Sequence, residues 1–215
     1  MRHLRWALVA TAVLAFPAPA FAGGGGRPVV APSGSHDLVQ TLRTFVELPA
    51  PLNPRYGYGT NPCVEVGDHT LVAITWGEEV TCTAEVGTEV RTGAMHFCSS
   101  FEGPPYYATN PKAGRACARA ASPELGVSVS VDGAPPVDLF QPQYTAHTPP
   151  THVRLPVDNA FGVRPQRGTV YGFGWHANIR NLGVGRHTYL TTVQVDGRTI
   201  PFPHVINIVP RGSLG

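Results

Sequence analysis

In the stretch GWHANIRNLGVGRHTYL, residues 174–190, His176, Arg180 and His187 lie around a glycine-rich turn. Imidazoles brought together across a turn can bind a transition metal or share proton transfer. The residues around them favour a plainer reading. Tyr171, Phe173, Trp175, Ala177 and Ile179 alternate with small or polar residues, so a strand would place the apolar set on one face and His176, Asn178 and Arg180 on the other. With Gly183 and Gly185 permitting a turn, the stretch reads as a half-buried hairpin. His187, opening the second strand beside Thr188, can bond turn carbonyls. The sequence supplies no third metal ligand for the His176/His187 pair.

Carboxylates are the next group. Glu65, Asp68, Glu78, Glu79, Glu85 and Glu89 are concentrated in residues 65–89, and an extracellular hydrolase acting on glycosides needs two of them facing each other at about 5–10 Å. Thr81, Thr83 and Glu85 would instead share the polar face of a strand whose other face carries Cys82, Ala84 and Val86, the pattern of a solvated surface. His96 and Cys98 would share one side of a strand and Ser99 and Ser100 follow, but no G-x-S-x-G elbow surrounds either serine. A crosslinked Cys98 cannot act as a nucleophile. GFGWHA imitates only part of a dinucleotide-binding loop and opens no helix. Nothing in the sequence requires a cofactor.

Cys63, Cys82, Cys98 and Cys117 are separated by 19, 16 and 19 residues, which is not the clustered spacing of a zinc site. Four cysteines allow three pairings, and local pairs are expected here, Cys63 with Cys82 and Cys98 with Cys117. The second pair would enclose SSFEGPPYYATNP, residues 99–111, and the alanine-rich 113–122, which reads as a short helix. Phe101, Tyr106 and Tyr107, beside Pro104 and Pro105, form the candidate binding surface for a carbohydrate or protein partner, since flat rings on a stiff loop supply contact area at low entropic cost. The competing reading has these rings roofing the core.

The elements that position these residues begin after a secretory signal peptide at 1–22, with Arg2, His3 and Arg5 ahead of the apolar run Trp6 to Phe16 and Ala20-Phe21-Ala22 at the cleavage site. That run is shorter than the about 20 residues a membrane span requires, and no second candidate follows. Export to an oxidising space suits the disulfides. From Gly23 onward the chain carries 13 Arg, one Lys and 14 Asp plus Glu, so its formal charge is zero and it lacks the basic footprint of a nucleic-acid binder. The 193 residues that remain suit one domain. Gly23 to Ser35 reads as a flexible arm. Leu38, Leu42, Phe45 and Val46 then line one face of a helix over 36–48, capped by Ser35 and stopped by Pro49.

Short runs rich in Val, Thr, Ile and aromatics follow, at 69–76, 79–86, 89–97, 126–131, 151–155, 169–179, 186–195 and 199–209. VSVSVDGAPPV and TTVQVDGRTI each place Asp-Gly where a tight hairpin needs positive φ. The expected fold is a mainly β, single antiparallel sandwich, immunoglobulin-like or jelly-roll-like, over 36–210. It carries the N-terminal helix and a small helical insertion, and residues 211–215 form a tail.

NPC at 61–63, VTCTAEVGTEV at 80–90, CSS at 98–100, RACA at 115–118, VSVDG at 129–133, LPVDNAFGV at 155–163 and LGVGRHTYL at 182–190 occur in an order that resembles a group of small secreted bacterial β-sandwich proteins. The resemblance spans most of residues 61–209. It departs where YGFGWHANI stands in place of a DGYW segment followed by apolar residues. It implies a β-sandwich and export, and no reaction, ligand or catalytic residue. The resulting expectation is a secreted, disulfide-linked, noncatalytic binding or envelope-associated module. The alternative is an extracellular hydrolase using the acidic strands at 65–89 or the His176/His187 pair.

Overall fold

The structure, a computed structural model, describes residues 26–53, 62–67, 69–73, 79–122, 126–195 and 197–214. The expected signal peptide, Asp68, Glu78 and Asp196 lie outside the described residues.

Among the described residues, twelve strands form two sheets packed face to face, with a helix on each face of the larger sheet. The larger sheet contains β1 (Val29–Pro32), β2 (Cys63–Glu65), β3 (Thr70–Ala73), β5 (Glu89–Ser99), β8 (Thr145–His147), β9 (Thr151–Leu155) and β10 (Gln166–Arg180). The smaller contains β4 (Val80–Glu85), β6 (Gly126–Val131), β7 (Val137–Asp138), β11 (Gly185–Val195) and β12 (Arg198–Val209). β10 is the spine: one edge pairs with β5 from Val170 to Ile179, and the other is shared in tandem by β9, β8 and β1. The sandwich is largely antiparallel, with β3 beside β5 and β4 beside β12 as parallel exceptions. Pro201 and Pro203 lie on β12 ahead of the stretch that pairs with β4, which begins at His204, so their missing N–H groups interrupt no bond to that strand.

The alternation read from the sequence fills the space between the sheets. Val90, Trp175, Ala177 and Ile179 face Val127, Val129, Val131, Tyr189, Ile206 and Ile208 in one buried cluster. Helix α1 (Ser35–Glu47) covers the outer face of the larger sheet, where Leu38, Leu42 and Val46 pack on Phe97, Ala146, Val153, Leu155 and Val170. Gly172 makes this approach possible, because a Cβ there would lie 2.2 Å from Leu42 Cδ1. Helix α2 (Pro111–Ala120) sits on the inner face, with its N-terminus capped by the Asn110 side chain, which accepts from Ala113 N–H at 2.9 Å. Ala118 packs there with Cys98, Ala108 and Tyr171.

Residues 29–32, assigned to a flexible arm, form an edge strand on β10, because β10 runs past β8 and leaves Ala177 to Arg180 in need of partners. The cap of α1 is Gly34 rather than Ser35: the Asp37 carboxylate accepts from Gly34 N–H at 3.2 Å and from Ser33 Oγ at 3.1 Å. The 174–190 stretch is not a hairpin. β10 and β11 belong to different sheets, and Asn181 to Val184, starting from φ +60° at Asn181, carry the chain across the sandwich. Alternation and glycines are equally compatible with a hairpin and with such a crossing, since both need a sharp turn between two strands.

The Asp-Gly hairpins do form. Asp132 and Gly133 have φ of +49° and +73° between β6 and β7, and Val195 pairs with Arg198 across the turn that contains Gly197, at φ +72°. Both expected disulfides are present. Cys63–Cys82 ties β2 of the larger sheet to β4 of the smaller, and Cys98–Cys117 ties β5 to α2. Replacing Cys98 and Cys117 together by alanine should lower unfolding free energy by roughly 3 kcal/mol, since the bridge closes a loop of 19 residues' separation. Denaturant titration measures it, and an unchanged midpoint would show that the bridge does not constrain the insertion.

Candidate functional site

The opening histidines are built into separate structures. His176 lies on the outer face of β10 beneath α1, 3% exposed. Both faces of β10 are therefore buried at that level, where a half-buried strand was expected. Burial, reinforced by the nearby Arg91 charge, lowers the His176 pKa to about 4 despite the opposing pull of Asp37. Its Nε2 has no hydrogen-bond partner among the described residues. His187, on β11, places Nδ1 2.8 Å from Asp132 Oδ2 and Nε2 2.8 Å from the Gly183 carbonyl. The Gly183 contact is the turn-carbonyl bond expected of this residue. Asp132 also accepts from Thr188 N–H at 2.8 Å, so one aspartate and one histidine fasten the β6–β7 turn to the crossing between sheets. Both His187 nitrogens are thereby engaged, and no metal pair forms with His176. Among the described residues no group of three or more His, Cys, Asp or Glu is placed to hold a metal ion.

The described carboxylates of the acidic span fall on different strands and into different structural bonds. Glu65 stands on β2 of the larger sheet and Glu85 on β4 of the smaller. Glu85 accepts from Gly212 N–H at 2.7 Å and Leu214 N–H at 3.2 Å, which pins the expected tail, and Glu89 pairs with Arg180 at 2.8 Å. The serines after Cys98 organise the loop. Ser99 Oγ donates to Glu102 at 3.0 Å and accepts from the Glu102 amide at 3.0 Å, while Ser100 Oγ accepts from Thr169 N–H at 3.0 Å.

The aromatic loop divides. Phe101 packs edge-on against Phe161, with ring centroids 5.0 Å apart, and roofs the core beneath α1. Tyr106 and Tyr107 are 46% and 50% exposed. Their backbone is held, since Ser99 N–H donates to the Tyr106 carbonyl at 2.8 Å and Ala108 N–H to the Ser99 carbonyl at 2.8 Å. With Cys98–Cys117 behind it, the loop presents two tyrosine rings on a fixed frame.

Two arrangements have no counterpart among the residues singled out in the sequence. The first is a buried polar network under α1. Arg91, 2% exposed, donates Nε–H to Asn178 Oδ1 at 3.1 Å and Nη1–H to Thr41 Oγ1 and the Asp37 carbonyl at 2.8 Å each, while Nη2 meets Asp37 Oδ1 at 3.1 Å. Burial works against the Arg91 charge, and Asp37 and Glu89 work for it. The second is a cavity of about 310 Å³ between α2 and the β8–β10 ladder, lined by Arg115, Ala116, Arg119, His147, Gly172 and Phe173. Lys112, Arg115 and Arg119, at i, i+3 and i+7 of α2, were the available signal, masked by an arginine-rich composition.

No protein-family model and no curated protein matches the chain. Among solved structures it is similar to the solution structure of amebosin, at 14% identity and TM-score 0.29 over 66% of this chain and 100% of that one. It is also similar to a family 123 glycoside hydrolase from Clostridium perfringens, at 11% identity and TM-score 0.22 over 64% of this chain and 23% of that one. Likenesses this weak carry no functional argument.

Proposed function

We propose that the chain is an exported, noncatalytic binding module whose contact surface is the disulfide-anchored insertion at 99–120, with a carbohydrate or protein partner. The observation that carries this reading is the pair Tyr106 and Tyr107, about half exposed on a loop tied down by backbone bonds to Ser99 and by Cys98–Cys117. Side chains with few torsions carried on a backbone already held in place lose little entropy on binding, and tyrosine offers both an apolar face and a hydroxyl. The structural disulfides fit an oxidising compartment, and no helix among the described residues is long and apolar enough to cross a membrane. The order of motifs from NPC to LGVGRHT supports the same placement among small exported β-sandwich proteins.

The test is a screen of labelled protein against glycans and envelope proteins, comparing the wild type with Tyr106→Ala/Tyr107→Ala. The double variant should bind its ligand at least about tenfold more weakly, as truncating interface aromatics does, with an unchanged melting temperature. Equal binding by the two proteins would overturn the assignment of the surface.

A further inference from the structure

We propose that the groove between α2 and the β8–β10 ladder is an oxyanion site for an acidic sugar, whose carboxylate or sulfate is taken by Arg115 and Arg119 with His147 opposite. This rests on the reading of the 99–120 insertion as a binding surface and names the chemistry of its ligand.

Lys112, Arg115 and Arg119 share one face of α2, where like charges at such spacing repel. Among the described residues the ion pairs involve Arg43, Arg91, Arg180 and His187, and none reaches these three cations. An anion seated between Arg115 and Arg119 relieves that repulsion. The guanidinium of Arg119 lies over the Phe173 ring, its central carbon 5.7 Å from the centroid. A guanidinium drawn to a ring face by its charge is biased toward that position, and its planar fork of N–H donors can take an oxyanion through two parallel bonds. His147 faces Phe173 across the β8–β10 ladder, so its exposed ring projects on the same side of the sheet. Gly114 sets the height of the helix above this floor, since a Cβ there would fall 2.2 Å from the Tyr171 ring.

The volume, about 310 Å³, exceeds what a bare sulfate or phosphate fills and matches the lower range of small-molecule sites, roughly 300–1,000 Å³. It therefore accommodates a ring that carries the charge. A nucleic-acid backbone is disfavoured because the chain from Gly23 onward has no net positive charge. The exposed Tyr106 and Tyr107 on the same insertion offer faces on which flanking sugar rings can lie.

The experiment titrates the folded protein with tetragalacturonate, a sulfated chondroitin tetrasaccharide, neutral cellotetraose, inorganic sulfate and an oligoglutamate peptide. The wild type should bind one acidic tetrasaccharide at least about tenfold more tightly than cellotetraose, sulfate or the peptide, and whichever of the two is preferred distinguishes a carboxylate from a sulfate ligand. Arg115→Gln/Arg119→Gln should abolish that preference, and Arg119→Lys should fall between. Glutamine is a good helix former at these exposed positions, so the melting temperature should hold. The proposal is overturned if the glutamine pair binds as the wild type does, if neutral and acidic sugars bind alike, or if oligoglutamate binds as tightly. Should Tyr106→Ala/Tyr107→Ala weaken sugar binding while the glutamine pair does not, the anion site falls and the tyrosine surface stands. The reverse pattern retains the anion site and removes the tyrosines.

Discussion

Lowering the pH from 6.5 to 4 should remove roughly 3 kcal/mol of stability for each of two buried histidines, a large share of the usual 5–15 kcal/mol that holds a domain. His176 and His204 each have a pKa lowered from 6.5 to about 4, in both cases chiefly by burial. His204 lies flat against Tyr189 in the core, with ring centroids 4.2 Å apart and planes within 5°. The backbone groups of Phe202 and Ala73 near the ring pull its pKa upward without offsetting burial. Both rings are neutral in the fold and protonate in the unfolded chain once the pH falls below 6.5. The unfolded state then binds more protons, so the stabilisation is full above about 6.5 and is lost progressively as the pH falls to about 4. Denaturant midpoints measured at half-unit pH steps should fall steeply in this window. His204→Phe keeps the stack on Tyr189 and removes one titration, so it should halve the histidine part of the slope. A slope unchanged in His204→Phe would mean that this ring is not buried neutral.

Arg91→Leu should cost about 3–5 kcal/mol, because it leaves Asp37, in the first turn of α1, without its countercharge and strips Asn178 and Thr41 of a donor. The loss should fall largely on the docking of α1, which brings Asp37 and Thr41 to the sheet. Arg91→Leu/Asp37→Leu removes both charges and should recover a substantial part of that loss, giving a clear coupling in a double-mutant cycle. Strictly additive single effects, measured by urea titration at pH 7.5, would show that the two residues do not form one unit.

The strands were legible because their apolar residues recur every second position. Val127, Val129 and Val131, and Trp175, Ala177 and Ile179, point into the core as their spacing requires. Phe45, Leu38 and Leu42 declared α1 in the same way. Pairing partners were less legible, because alternation fixes a face and not a neighbour. β10 and β11 therefore read as a hairpin although they lie in different sheets. The short strands β1, β2, β7 and β8 are too brief to show a period. The sequence reads His176 and Asn178 as the wet side of a half-buried strand, since a polar run on one face looks the same whether it meets water or the polar side chains of a docked helix. Tyr106 and Tyr107 were visible as candidates by composition, whereas the Arg115, Arg119 and His147 groove joins residues far apart in sequence and needed the fold to assemble it.

The claim that the insertion binds and does not cleave is tested most directly by residue-resolved amide shifts as the protein is titrated with a ligand retained in the screen, with that ligand recovered afterwards for mass measurement. Perturbations should cluster at 99–120, centred on Tyr106 and Tyr107 and reaching His147 and Phe173, and the ligand should be recovered unchanged. Perturbations centred on Glu65, Glu79, Glu85 and Glu89, or a ligand recovered in shortened form, would contradict it.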